Sequence, residues 1–149
     1  MQLWRMQLHP SDPERATMHA VQSLGAGFIG LDWENDPGDL TLLSPSSLPR
    51  NVTTHDFGFV KMKVGDKVLV IVHHFPFALA TVDSKYNYIR VEVPQLRIWF
   101  KHFRRVRDVK YYADRVTNAH EWEVIKMTNT VQLLSDKDSA SYRLIRDWD

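Results

Sequence analysis

Cysteine is absent from this chain of 149 residues, and its absence removes several chemistries together. A zinc site built on thiolates, a dithiol redox pair and a disulfide framework all require it. The lack is compatible with a reducing compartment, and a cytoplasmic location is expected. An excess of charge is missing too. The 19 Lys and Arg residues are matched by 18 Asp and Glu, which argues against a polybasic arm or a disordered tail. No apolar run reaches the length of a membrane span, and the first residues lack a signal-peptide pattern, so no membrane partner is expected. There is no glycine-rich phosphate loop, no GxSxG elbow, no internal repeat and no low-complexity segment. Seven histidines occur, at 9, 19, 55, 73, 74, 102 and 120. None forms a His-x3-His pair and no HExxH motif is present. His73 and His74 are adjacent in an expected strand and would point to opposite faces. Neither a metal nor a cofactor is expected, and nothing marks the chain as an enzyme.

What is present suffices for one domain over residues 1–149, with 44% hydrophobic and 11% aromatic residues to fill a core. "MQLWRMQL" alternates, with Trp4, Met6 and Leu8 on one face, and predicts a strand. "HPSDPERATMHAVQSLG" predicts a helix. Ser11 would cap it with Glu14 completing the capping box, Ala16, Ala20, Val21 and Leu24 would form the buried stripe, and Gly25 would end it. "AGFIGLDW" predicts a second strand, followed by a long polar connection with a short helix. "KVGDKVLVIVHHF" places a turn at Gly65-Asp66 before a β-branched strand. Pro76 marks the bend into the next strand, "FALATVDSKYNYI". "QLRIWFKHFRRVRDVKYY" begins as a strand alternating Leu96, Ile98 and Phe100 and then becomes basic. "EWEVIKM" is expected as a strand, "TNTVQLL" as a short helix and "YRLIRDW" as a last strand or helix. The order suggests an α+β domain around a small curled β-barrel of about five to six mostly antiparallel strands with flanking helices. The chain ends on "RLIRDWD", and it is expected to be a module of a longer protein.

Two stretches carry chemistry. In "GFIGLDWENDPGDL" an apolar strand ends in an indole, Trp33, set among Asp32, Glu34, Asn35 and Asp36. Those neighbours do not belong in a core, so a pocket with a stacking wall and hydrogen-bond acceptors is one reading. The segment from Arg97 to Arg115 holds seven Lys or Arg and two Asp, interleaved with Trp99, Phe100, Phe103, Tyr111 and Tyr112. Such cations can meet phosphates while the aromatics stack or pack; a strand with a solvated outer face is the plainer alternative. On that strand Arg105 and Arg107 would share a face and Arg104 would oppose them. In "KYNYI", Tyr86 and Tyr88 stand at alternate positions, as a hydrophobic lid or as a wall of a pocket.

In order, "LWRMQL", a helix, "GFIGLDW", "MKVGDKVLVIV", "ALATVDSKYNYI" and "RIWFKHFRRVRDV" make a chain that resembles the EVE and YTH-like branch of the PUA superfamily. It looks closest to the N-terminal specificity domains of McrB-type modification-dependent restriction systems. The resemblance implies a PUA-like fold and a DNA-binding reader of a methylated base, flipped into an aromatic pocket. It implies Leu31, Asp32 and Trp33 on one side of that pocket, with Trp33 as stacking wall and Asp32 as acceptor for an exocyclic amine. Ser84, Tyr86 and Tyr88 come from the opposite loop, where related domains often place tryptophan. Arg104, Arg105, Arg107, Lys110 and Lys126 would be contacts to the nucleic-acid backbone. The implied partners are modified DNA and, in the full system, AAA+ motor and nuclease components. A PUA-like module for single-stranded RNA is the first alternative. An enzyme acting on a small nucleotide-like substrate is the second, and a peptide-binding domain the third.

Overall fold

The computed structural model describes residues 1–8, 15–89, 91, 95, 100–115 and 122–148. Its first strand, β1 (Leu3–Gln7), follows the alternation of the sequence, with Trp4 and Met6 buried and Leu8 buried just beyond. β1 lies parallel to β3 (Lys67–Val72) and antiparallel to β7 (Val131–Leu133). β3 is a nearly continuous apolar run because both its faces are covered. Val68, Val70 and Val72 enter one core with Trp4, Met6, Ile29, Phe59 and Phe100. Leu69 and Ile71 enter a second core with Leu79, Tyr112, Ile125, Leu144 and Ile145.

Helix α1 (Ala16–Gly25) buries Ala20 and Leu24, whereas Val21, expected on the buried stripe, is 48% exposed. The expected caps Ser11 and Glu14 lie outside the described residues. Gly25 is still helical. The left-handed residue that ends the helix is Gly27 (φ 84°), whose N–H bonds the Leu24 carbonyl at 3.0 Å, as in a glycine-terminated helix. β2 (Phe28–Leu31) follows and pairs antiparallel with β6 (His102–Tyr111). The long connection after β2 contains a 3-10 turn (Leu40–Leu42) and α2 (Thr54–Lys61), which Thr53 and Asp56 close with a reciprocal capping box.

β3 turns directly into β4 (Phe75–Val82). His73 and His74 are the turn and not part of the strand, with φ of 49° and 67°. A two-residue hairpin of the I′ kind needs positive φ at both central positions, and histidine tolerates it better than most residues. Pro76 therefore sits within β4, opposite Ile71 and beside a bulge. The described ladder between β4 and β6 begins at Ala78, so the missing N–H costs no pairing there. β5 (Asn87–Tyr88) adds to β6, and α3 (Tyr112–Arg115) follows β6. The start of the expected strand around Leu96 and Ile98 lies outside the described residues; Phe100 is fully buried.

Two expectations near the end of the chain are overturned. Residues 122–127 form no strand, and Val131–Leu133 is a strand and not a helix. Pairing of Met6 with Val131 and Trp4 with Leu133 decides the matter, because the β1 edge offers a ladder that outweighs local preference. α4 (Ala140–Trp148) closes the second core with Ser141, Leu144 and Ile145, an i, i+3, i+4 stripe. Over the described residues the protein is α+β, a curled half-barrel sheet of seven strands in the order β2-β6-β4-β3-β1-β7, with β5 on β6 and four helices around it. All described pairings but β1 with β3 are antiparallel. Among the described residues no helix is long and apolar enough to cross a membrane.

Gly30 of β2 packs directly against the Phe100 ring that precedes β6. A methyl group on Gly30 would come within 1.9 Å of the Phe100 ring, which is fully buried and cannot swing into solvent. Gly30→Ala is expected to lower stability by about 1–3 kcal/mol, the usual cost of overpacking a tight core. An unchanged urea midpoint would show that the ring has room to move.

Candidate aromatic and carboxylate site

β2 buries Leu31 and then leaves the sheet, so the next residues turn outward at one end of the barrel. Leu31 is thus a core side chain and does not line an open pocket. Asp32 is exposed and Trp33 half-buried. The Trp33 indole N–H donates to the Asn51 carbonyl at 2.9 Å, and the Asn51 side chain donates to the Asn35 carbonyl at 2.7 Å. These bonds stitch the acidic turn to the segment that enters α2.

The centre of the cluster is His102, the first residue of β6. It stands opposite both Leu31 of β2 and Tyr88 of β5, and its side chain is completely buried. Trp33 meets the imidazole edge-on, with centroids 4.8 Å apart at 84°. Tyr88 lies over it at 4.8 Å and 34°, and Tyr86 at 5.9 Å and 32°. The hydrogen bonds define one consistent arrangement. The Leu40 N–H donates to the Tyr86 hydroxyl at 3.1 Å, and that hydroxyl donates to His102 Nδ1 at 2.6 Å. Nε2 then carries the proton and donates to Asp36 Oδ1 at 2.7 Å. The Tyr88 hydroxyl donates to the other oxygen of Asp36.

The electrostatics agree with a neutral imidazole. Burial pushes the His102 pKa below its ordinary value, against the pull of Asp36, Asp32 and Asp39. Burial also opposes ionisation of Asp36, but hydrogen bonds from Tyr88 and His102 prevail and hold its carboxyl below the usual range. Burial pushes the Tyr86 phenol up, so it stays a donor. The Asp–His–Tyr order resembles a proton relay, yet its middle member is sealed from solvent and its phenol is not activated. Its hydrogen bonds fix the orientation of Asp36, His102, Tyr86 and Tyr88.

Trp33, Tyr86 and Tyr88 are therefore brought together, with His102 and Asp36 between them. Sequence reasoning missed those two roles. The available signal was an interior-facing histidine at the start of an alternating strand, and a polar side chain there needs a partner. Ser84 belongs to the turn itself. Its hydroxyl donates to the Lys85 carbonyl and accepts the Arg105 N–H, both at 2.8 Å.

Of the expected backbone contacts, Arg104 is corrected. Its side chain is buried, 2% exposed. Its guanidinium donates to the Ser84 carbonyl at 2.7 and 3.2 Å and to the Phe59 carbonyl at 2.8 Å. It clasps the end of α2 to the turn before β5 and has no free face for phosphate. Burial lowers its pKa to about 10, with Asp66 opposing. Arg105 and Arg107 are exposed together on the outer face of β6, opposite to His102 and Arg104. Arg107 is paired with Asp83 at 3.3 Å and Asp108 at 2.5 Å, exposed contacts of small net worth. Lys110 is exposed further along β6, past the irregular residue Asp108 (φ 51°). Lys126 is exposed beside Ile125, whose N–H bonds the His74 carbonyl. That places it by the β3–β4 hairpin, the end of β4 remote from Tyr86, and apart from the cluster. Trp99 lies outside the described residues. Two exposed cations that sequence reasoning did not select flank the cluster: Arg50, next to the Trp33 anchor Asn51, and Lys85, next to Tyr86.

A well-formed concavity lies elsewhere. A groove of about 570 Å³ lies by the β3–β4 hairpin, lined by Val21, Phe75, Pro76, Phe77, Tyr111 and Trp122. Its size suits a small ligand, but its polar lining is sparse and the convergent polar network is at the other end of the sheet. Among the described residues no group of three His, Cys, Asp or Glu side chains is placed to hold a metal ion. Comparison with protein-family models and with curated proteins finds no match to this chain.

The network makes stability depend on pH. The folded state resists protonating His102, while the unfolded chain takes that proton below about 6.5. The contribution is therefore complete above that pH and declines as pH falls below it. Asp36 adds a further loss below the ordinary carboxylate range. Urea unfolding at pH 5, 6 and 7 should show stability falling with pH, and His102→Gln, which keeps a donor for Asp36 but cannot titrate, should flatten that slope. A wild-type slope retained in the variant would assign it to other groups. Tyr86→Phe strands both His102 Nδ1 and the Leu40 N–H, and a loss of about 1–3 kcal/mol is expected at pH 7.

Proposed function

We propose that this domain is a non-enzymatic reader of a modified base in DNA, a member of the EVE and YTH-like branch of the PUA superfamily. The observation that carries this reading is the cluster at the end of β2. Three aromatic side chains from two separate loops, Trp33, Tyr86 and Tyr88, converge on a sealed polar centre beside exposed carboxylate and cationic residues. A flipped base needs a stacking face and a few acceptors for its Watson–Crick edge. Trp33 supplies the face and Asp32, at the rim, an acceptor for an exocyclic amine. Asp36 is committed to Tyr88 and His102, so it shapes the site without reading the base. Arg50 and Lys85, exposed and each next in the chain to a residue of the cluster, would meet the flanking phosphates, while Arg105, Arg107 and Lys110 offer a second, outer strip. The curled half-barrel is compatible with a PUA-like domain. In the full system the reader would direct AAA+ motor and nuclease components to modified DNA.

The test is binding to duplexes of one sequence carrying unmodified cytosine and adenine, 5-methylcytosine, 5-hydroxymethylcytosine, N4-methylcytosine or N6-methyladenine, with matched RNA as competitor. One modified duplex should be preferred. Trp33→Ala should weaken it more than tenfold, in line with a lost stack of roughly 1–3 kcal/mol, while a thermal melt checks that the fold survives. Replacing Arg50 and Lys85 by Ala should weaken all duplexes alike and lower the log–log salt slope by roughly two. Preference for RNA over every duplex would favour the RNA-binding reading, and no binding to any nucleic acid would end both.

A further inference from the structure

We infer that Leu42 is a wedge that enters the base stack and fills the space left when the target nucleotide swings out. The inference rests on the proposed base-reading function. Leu42 is 82% exposed, although it occupies one of the most firmly held turns of the long connection. The Asp39 side chain accepts from Thr41 N at 2.9 Å and from Thr41 Oγ1 at 2.7 Å. The Leu42 N–H bonds the Asp39 carbonyl at 3.1 Å, and the Leu43 N–H bonds the Leu40 carbonyl at 3.2 Å. Leu40 is fully buried, and its N–H ends on the Tyr86 hydroxyl that also holds His102.

The consequence is a rigid projection tied to the aromatic cluster. A 3-10 turn rises about 2 Å per residue, so the Leu42 backbone is about 4 Å along the axis from the residue bonded to Tyr86. Exposed leucines are common and most need no explanation. Among the described residues, Leu42 is the large exposed apolar side chain whose turn is hydrogen-bonded to the cluster itself. Its exposure is not a failure of packing, because its neighbour Leu40 is packed and the backbone between them is fixed. Flipping a base breaks a pair and two stacking contacts, and apolar wedges such as leucine commonly occupy the opened step. A preorganised wedge loses little freedom on insertion.

The experiment compares wild type, Leu42→Ala and Leu42→Phe on two duplexes for each of the modified bases 5-methylcytosine, 5-hydroxymethylcytosine, N4-methylcytosine and N6-methyladenine. In one duplex the modified base is normally paired; in the other it faces an abasic site, so no pair has to be broken. Leu42→Ala should lose about tenfold on the preferred paired duplex and no more than about twofold on the abasic one. Leu42→Phe should restore paired binding, and all three proteins should melt at the same temperature. Equal losses on both duplexes, or no loss on either, would overturn the wedge while leaving the reader intact. Failure of the wild type to prefer any modified duplex would overturn the reader, and the wedge with it.

Discussion

Burying His102 removes water from both ring nitrogens, so each must find a partner inside the protein. That requirement organises one end of the molecule. β6 sets the imidazole where β2 and β5 flank the same residue. Asp36 must then come to one nitrogen and Tyr86 to the other. Asp36 draws in Tyr88, and Tyr86 draws in Leu40. A connection of more than twenty residues, with little regular structure of its own, is thereby fixed at two points. A third is the Trp33 indole on Asn51. Removing the imidazole would take the shared partner from Asp36 and Tyr86 together.

A second set of buried charges secures the rest of the frame. Asp66 is 2% exposed and accepts from Gln2 N, Lys63 N and the Trp4 indole. Burial works against its ionisation, but these donors hold its carboxyl below the usual range. It joins the first strand to the turn that opens β3. Arg104 does the equivalent work between α2 and the β4–β5 turn. Buried charges are costly unless their hydrogen-bonding capacity is met, and here backbone groups meet most of it. Loops that would otherwise drift are held by side chains that have no comparable alternative in solvent-free surroundings.

Much of the frame was legible in the sequence because period and burial coincide. The alternation of Trp4, Met6 and Leu8, the apolar run Val68–Val72 and the turn at Gly65-Asp66 all read directly. The seven-stranded curl exceeds the expected five to six strands because two short strands, Asn87–Tyr88 and Val131–Leu133, are made by their partners and not by their own composition. The His73-His74 turn was hidden because histidine is a weak turn signal and the apolar run continues past it. At the site, the grouping of Trp33 with Tyr86 and Tyr88 was anticipated from the resemblance, yet the member that joins them was not. An interior histidine looks like any other residue until its partners, Asp36 and Tyr86, are seen 66 and 16 positions away. Arg104 misled for the converse reason. Its place in a basic run suggested solvent, whereas its phase in β6 points it inward.

For a reader of methylated bases the methyl group is a small signal. Burying it contributes about 0.5–1 kcal/mol at roughly 25 cal/mol per Å². Stacking on Trp33 is larger but is shared by unmodified bases, since every base has a π face. Discrimination must therefore come from a cavity that does not adjust to the unmodified base. A loop free to close around either base would lose that difference to relaxation. Here Tyr86 and Tyr88 are tied through hydrogen bonds to a sealed imidazole and its Asp36 partner, which would hold the proposed walls in place. The near balance of 19 basic and 18 acidic residues points the same way. On the proposed reading, a limited basic strip would keep non-specific duplex affinity low, so that the small increment from a methyl group would act on a weak background. For such a reader, rigidity of the walls and restraint in charge are thus complementary requirements; His102 and the Asp36 turn would serve the first and the acidic residues around Trp33 the second.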